Sequence, residues 1–527
     1  MVDIFRNFSV EVGVQDITTR CTFPVKRSCW AVSYQNAWNK LFNPRGVEVI
    51  EMQKPTLYFR TLDVHPDSLP ADGDVDFMCL YLWLLSEHHC ISAVRLCIPV
   101  LAPRHCPLFL SLLKLNRSVR KCEVDGGSPF TKPSLLTGWP NAEVVKYLFE
   151  LRVLRLATLH LSDENVSLLA DLVRRNDSLV ALVLTEVKMN ALALKELATT
   201  VAEHKKLQDF RLSMATVQPQ PTCGEVVSVI SQSSSLSRLY IHLNDGLLNL
   251  LRSLLNNSSL TELTLEMAID DEEVLHALVD FVVNQKSFQR LKIRIDARQF
   301  EHAEGVLDDM QRIIGQSSLD VLVLSGSTLP STTVSRLAHG LAVSATLREL
   351  YLDDCQLACA DVLPLVEAIS SNVKVGKFEE LYLGAMTGDD SQLCELLRKI
   401  MDADVCDKVT LTYGEGLIPT LLGALRMGLK FVKVTISGVD PPLQSILHSL
   451  RTTVSTLKSL SIDTDQEIDR LTGVFLGSLI QKRIVSRFCD CGVALSRVSS
   501  SIYSRPSGIP RASRSSAWST GVSKVKL

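Results

Sequence analysis

The sequence predicts an α/β solenoid, with parallel strands stacked along a concave face and helices along the convex one. Three observations carry this reading. Segments beginning at Leu151 (LRVLRL), Leu179 (LVALVL) and Leu207 (LQDFRL) start at one constant interval. Within them Leu151, Leu154 and Leu156, then Leu179, Leu182 and Leu184, fit a strand whose alternate side chains point inward. After each strand comes a helix-period set, Val166, Leu169, Ala170 and Val173, repeated at the same interval as Leu194, Leu197, Ala198 and Val201. Neither half of such a unit buries its apolar face alone, whereas stacked copies share one core.

The same start motif runs outward in both directions. Upstream lie Ile91, Val119 and a degenerate Phe59; downstream lie Leu236, Leu260, Phe288, Leu319, Leu347, Phe378, Cys406, Phe431 and Leu457. The helical quartet follows at Leu275, Leu278, Val279 and Val282, at Val334, Leu337, Ala338 and Leu341, and at Val362, Leu365, Val366 and Ile369. This places an array of about fourteen units over residues 57–481.

Bulk properties agree. A chain of 527 residues is long for one compact core, but a repeat array needs none. The composition, 46% hydrophobic with 6% aromatic, suits ladders of Leu and Val. A formal charge of -3 argues against general nucleic-acid binding.

In chain order, residues 1–56 break the period and concentrate Trp30, Tyr34 and Trp38, as expected of a cap over the first repeat. The N-terminus shows no signal-peptide pattern and no stretch has membrane length, so the expected compartment is the cytoplasm. Several of the 14 cysteines, among them Cys97, Cys122 and Cys406, occupy core or strand positions and read as small buried hydrophobes. Asn116-Arg-Ser and Asn165-Val-Ser are sequons that matter only in a secreted chain. Residues 65–76 read as a loop, the stretch with Phe130 and Trp139 as an inserted rim loop, and Thr216 to Glu225 as an outward bulge. Residues 482–527 form a basic, Ser/Arg-rich tail that is expected to be largely disordered, with a kinase-like Arg-x-x-Ser at Arg497 to Ser500.

Chemistry-bearing motifs are few. No phosphate-cradling G-x-x-x-x-G-K-[ST] or G-x-G-x-x-G stands after a strand, and Gly414-Glu-Gly416 is too short to serve. His88, His89 and Cys90 offer metal donors, but no second pair lies at zinc spacing and His105-Cys106 falls in the next repeat. Cys489-Asp-Cys491 is a nonspecific pair. The expectation is a non-enzyme without cofactor or metal.

What remains is the strand surface. The third and fifth positions of each unit face solvent in columns: Asp209, Arg238, Glu262, Arg290, Val321, Glu349, Glu380 and Lys408; and Arg211, Tyr240, Thr264, Lys292, Val323, Tyr351, Tyr382 and Thr410. Candidate partner-binding residues are Glu349, Tyr351, Glu380 and Tyr382, with Asp353 and Asp354 at their border, then Arg290 and Lys292 near Arg294, and Arg238 and Tyr240. Tyr and Arg give large contact area with a polar handle. The Glu/Tyr checkerboard suits a basic protein partner.

Repeats of one recurring length that join an LxxLxL strand to a full helix resemble the ribonuclease-inhibitor-like class of leucine-rich repeats, over residues 59 to 481. The class also furnishes C-terminal sensor arrays of NOD-like receptors. The resemblance implies a horseshoe fold and a protein-binding concave face. This chain departs at the ninth position, where the class carries Asn or Cys: here stand Leu159, Val187, Ala215, Ala268 and Met386, with Cys355 conforming. The expected function is a protein-interaction scaffold. The alternatives are a GTPase-activating regulator resembling Ran GTPase activators, which would act by ordering a GTPase's own residues, and a ubiquitin-ligase substrate receptor docking through residues 1–56.

Overall fold

In the computed structural model of the chain, the described residues are 21, 29–51, 56–61, 82–97, 116, 118–126, 150–214, 223–242, 246–300, 304–352, 354–355, 357–372, 378–405, 408–413, 431–436, 459–464 and 523–526. The architecture is an α/β repeat solenoid of parallel strands alternating with helices. Two compact units divide the chain, Met1–Met267 and Ala268–Leu527. The expectations for residues 65–76, Phe130, Trp139, His105-Cys106, residues 216–222, Asp353, Cys406, Gly414-Glu-Gly416 and Cys489-Asp-Cys491 lie outside the described residues.

In the first unit, a helix Gln35–Phe42 leads through a 3-10 turn to β1 (Val47–Glu51). Strand β1 pairs antiparallel with β2 (Leu57–Thr61), covering an edge that would otherwise offer unpaired backbone groups. Asn39 clamps β1 in both directions, donating from Nδ2 to the Val49 carbonyl at 2.9 Å while Oδ1 accepts the Val49 N–H at 2.7 Å. Trp38 stacks on Phe42 at 5.8 Å and Phe42 meets Phe59 of β2 at 6.1 Å, all three fully buried. Of the aromatic concentration in the sequence, Trp38 thus packs through Phe42 onto β2.

From β2 the sheet proceeds in parallel through β3 (Ile91–Cys97), β4 (Lys121–Asp125), β5 (Val153–Ala157), β6 (Ala181–Val187), β7 (Asp209–Met214), β8 (Arg238–His242) and β9 (Glu262–Ile269). The second unit adds β10 (Arg290–Ile295), β11 (Val321–Val323), β12 (Glu349–Leu352), β13 (Glu380–Ala385), β14 (Val409–Tyr413), β15 (Phe431–Ile436) and β16 (Ser459–Thr464), each parallel to the one before within that unit. Of the tail, only Ser523–Lys526 are described; they form β17, antiparallel to β16.

Helices start where the sequence supplies caps. Ser162 accepts the Asn165 N–H at the head of Asp163–Arg175, a helix with Asp163 and Glu164 in its first turn and Arg174 and Arg175 in its last, both matched to the macrodipole. Asn190 and Asp271 cap Ala191–Glu203 and Glu272–Asn284, and Asp389 forms a capping box with Gln392. All five predicted helical quartets, beginning at Val166, Leu194, Leu275, Val334 and Val362, are buried.

Strands end on a left-handed residue at the eighth position of the unit. Thr158, Glu186 and Asp354 have φ of 53°, 53° and 55°, and Gly326 occupies the same place at 74°. This turn explains how the chain manages without Asn at the ninth position. Backbone of the neighbouring unit closes it: Thr158 N–H donates to the Thr185 carbonyl at 2.9 Å and Lys188 N–H to the Leu159 carbonyl at 2.8 Å. Leu159 and Val187 are therefore free to be core residues, while Cys355 donates its thiol to the Leu324 carbonyl at 3.1 Å.

Two expected frames are displaced. Phe59 pairs with Val94 and Leu57 with Ile91, so Leu57, not Phe59, takes the first position, with a register irregularity after it. Val432 and Val434 pair with Leu460 and Ile462, two residues earlier than a start at Phe431 requires, and Val432 pairs with Leu411 on the other side, four residues earlier. At Phe59 the irregularity makes the displacement three positions, from the first to the fourth of the unit, and since both positions face inward Phe59 is buried in either frame.

At the opposite end of the repeat, the turn from helix to strand carries buried polar side chains. Asn257 Nδ2 donates to the Ser231 and Ser233 carbonyls at 2.7 and 2.9 Å while Oδ1 accepts the Ser259 and Leu260 N–H groups at 3.0 and 3.1 Å. Asn116 and Asn176 bind in the same way, and His204 occupies the equivalent place, its ring nitrogens reaching the Asn176 carbonyl and the Lys206 and Leu207 N–H groups. Asn116 and Asn165 are 1% and 6% exposed, so neither sequon presents its amide to modification in the folded chain.

On the helix face of the second unit, His276 bonds Asp309 at 3.0 Å and lies 3.4 Å from Asp280, and Arg312 bridges both carboxylates. The hydrogen bond to Asp309 holds the His276 imidazolium above its ordinary value of 6.5. A raised folded-state pKa stabilises fully below the unfolded value and is lost as pH rises through the folded one. Stability is therefore expected to decline from about pH 6.5 upward, modestly because the ring is largely exposed. Urea melts across that range should show a flatter slope for His276→Gln; equal slopes would remove the linkage.

Candidate functional site

The strand register assembles the expected columns, though Val323 and Thr410, expected in solvent, are 8% and 6% exposed and therefore buried. In the second unit, Arg290 pairs with Val321, Val321 with Glu349 and Glu349 with Glu380; beside them Lys292 pairs with Val323, Val323 with Tyr351, Tyr351 with Tyr382 and Tyr382 with Thr410. The two patches that the sequence separates are one surface, joined through the short strand β11. At the ordinary strand spacing of about 4.8 Å, Arg290 and Glu380 stand roughly 14 Å apart. Alternation is complete on β10, where Arg290, Lys292 and Arg294 are exposed and Leu291, Ile293 and Ile295 buried.

Tyr351 and Tyr382 stack at 5.4 Å between ring centroids with planes 29° apart. The Tyr351 hydroxyl donates to Glu349 Oε2 at 3.0 Å, and Thr410 Oγ1 donates to Glu380 Oε1 at 3.0 Å. Partial burial, reinforced by Glu349, pushes the Tyr351 hydroxyl well above the usual phenol range, so it stays a donor. Lys408 turns its ammonium to the Phe378 carbonyl at 2.6 Å, and Asp354 lies exposed in the turn beyond β12. The result is a half-exposed aromatic pair bordered by two carboxylates on one side and a basic strand on the other.

In the first unit, Arg238 is exposed and Tyr240 half-buried on β8. Asp209, expected in the solvent column, is 4% exposed: Arg211 grips both its oxygens at 3.1 Å and Arg238 adds a contact at 3.3 Å. Two guanidinium groups cover one carboxylate, which explains the burial and leaves Arg238 partly neutralised. Burial, with a hydrogen bond to Glu266, raises Tyr240 above the ordinary phenol range.

A candidate metal-ligand set lies where the N-terminal segment meets the first repeats. His88 and Cys90 lack a donor pair at zinc spacing in sequence, yet Cys21 and Cys29 converge on them, and the four ligating atoms lie within 4.8 Å of one another. The pattern was not legible because the two pairs come from segments far apart in the chain. Elsewhere, among the described residues no helix is long and apolar enough to cross a membrane.

No protein-family model matches the sequence, and no curated protein matches it. Among solved structures, the chain is similar to one in the crystal structure of the Rad7 and Elc1 complex in yeast, at 12% identity and a TM-score of 0.39, covering 64% of this chain and 84% of that one.

Proposed function

We propose that this chain is a non-catalytic, cytoplasmic scaffold of the ribonuclease-inhibitor-like repeat class, which binds a protein partner on the strand face of its second unit. The observation that carries the reading is the stacked pair Tyr351 and Tyr382, with Glu349 and Glu380 in register beside it. Stacked tyrosines on a rigid sheet present large contact area at low entropic cost, the chemistry found where interfaces concentrate their energy. The paired carboxylates suit a partner segment rich in Lys or Arg, and Arg290 and Lys292 on β10 fix its direction by favouring an acidic flank.

Charge reversal tests this. A Glu349→Lys, Glu380→Lys variant is expected to lose proteins captured from extract by the wild type, and the wild-type capture to weaken between low and high salt. Capture indifferent to both changes would remove the electrostatic part of the proposal. Stimulated hydrolysis by a purified small GTPase on adding the chain would replace the scaffold with a catalytic regulator.

A further inference from the structure

The three thiols of Cys21, Cys29 and Cys90 and the imidazole of His88 form a compact set where the N-terminal segment meets the first repeats. Cys29, His88 and Cys90 are each 0% exposed. Cys21 Sγ is 3.6 Å from Cys29 Sγ, and Cys29 Sγ is 3.4 Å from His88 Nδ1. A tetrahedral zinc with bonds of about 2.3 Å to sulfur and about 2.05 Å to nitrogen sets sulfur–sulfur edges of about 3.8 Å and sulfur–nitrogen edges of about 3.6 Å. These two edges come within about 0.2 Å of that tetrahedron, and all four donor atoms lie within 4.8 Å of one another. They do not match a disulfide, whose sulfurs lie about 2.05 Å apart; none of the three cysteines is disulfide-bonded, and Cys21 and Cys29 stand well beyond that distance.

The scaffold around the set holds the donors in place. His88 sits in the turn before β3, its N–H bonded to the Leu84 carbonyl at 3.0 Å and its carbonyl accepting the Ile91 N–H and the Asn116 side chain. Trp83 meets the His88 ring edge-on, with centroids 5.0 Å apart and planes at 72°. The Cys90 carbonyl accepts the Leu57 N–H at 2.8 Å, tying this ligand to β2. Cys29 precedes the short helix Trp30–Ser33, whose Val32 N–H bonds its carbonyl at 3.1 Å. Two ligands therefore come from the N-terminal segment and two from the turn that leads into β3.

We propose that Cys21, Cys29, His88 and Cys90 form a structural zinc site that fastens the N-terminal segment to the first repeats. Four protein donors close the tetrahedron and leave no position for a substrate, so the site is structural rather than catalytic. Zinc binding releases three thiol protons to solvent; three thiolates and a neutral imidazole then surround the dication, leaving the site with a net single negative charge. In a reducing compartment such a cysteine set is more often metal-binding than cross-linked.

The test is the zinc content of the full chain, expressed with added zinc and desalted without chelator. The wild type is expected to carry about one zinc per chain, falling below about a tenth in Cys29→Ser and Cys90→Ser. The exposed neighbour His89→Ala and the distant Cys394→Ser should keep the wild-type content. Cobalt(II) added to chelator-stripped wild type should give the visible bands of a tetrahedral thiolate site, a readout independent of whether the serine variants fold. Wild type free of zinc and silent with cobalt overturns the proposal, as does a Cys21–Cys29 disulfide mapped in the native protein.

Discussion

Leu350→Ala is expected to destabilise the second unit by about 2–5 kcal/mol, the range for truncating a fully buried leucine. Leu350 is 0% exposed and stands in β12 between Leu322 of β11 and Leu381 of β13, so its side chain belongs to two inter-repeat interfaces at once. In a stack whose stability is a sum of repeats and their nearest-neighbour contacts, a cavity there weakens both neighbours. Tyr351, the next residue, projects to the other face and should cost far less when changed to alanine. Urea melts of the two variants check this, and equal midpoints would reverse the inward and outward assignment of the strand.

Asn257→Ala is the second large effect, expected at about 3 kcal/mol. The side chain is 6% exposed and satisfies two carbonyls and two N–H groups in the turns of adjacent repeats. Alanine strands these groups away from water, and each buried unsatisfied group costs about 1–3 kcal/mol, offset where water enters. Asn257→Asp keeps the acceptor and loses both donations, so it should remain destabilised. Thermal melts that left either variant at the wild-type midpoint would show that the turn is held by backbone alone.

Much of this fold was legible because two independent periods agree. Leucines recurring at one interval, as Leu151, Leu179 and Leu207 do, set strand positions, and the quartets after Val166 and Leu194 set the helices. The site columns followed from the same ruler, and the register pairs Tyr351 with Tyr382 as the spacing implied. Local alternation could not fix the frames at Phe59 and Phe431. Nor could it show that Asp209 sinks beneath Arg211 and Arg238, because burial there comes from side-chain pairing along β7 and from β8.

The turn asparagines carried a signal in sequence, since Asn116, Asn176 and Asn257 each precede the first apolar strand residue by three positions. Read only as a sequon, Asn116 concealed its structural use. The thiol cluster had no comparable signal. Cys21 and Cys29 are separated by eight positions, and their partners His88 and Cys90 lie beyond the first strand pair, so only folding brings the four together.

The most direct test of the strand face as a working surface is quantitative capture from extract with wild type and a Tyr351→Ala, Tyr382→Ala variant of matched thermal stability. The account predicts a partner retained by the wild type and lost from the variant, an affinity loss of about thirtyfold or more if the pair contributes about 2 kcal/mol or more. Identical partners at equal strength on both proteins would contradict it.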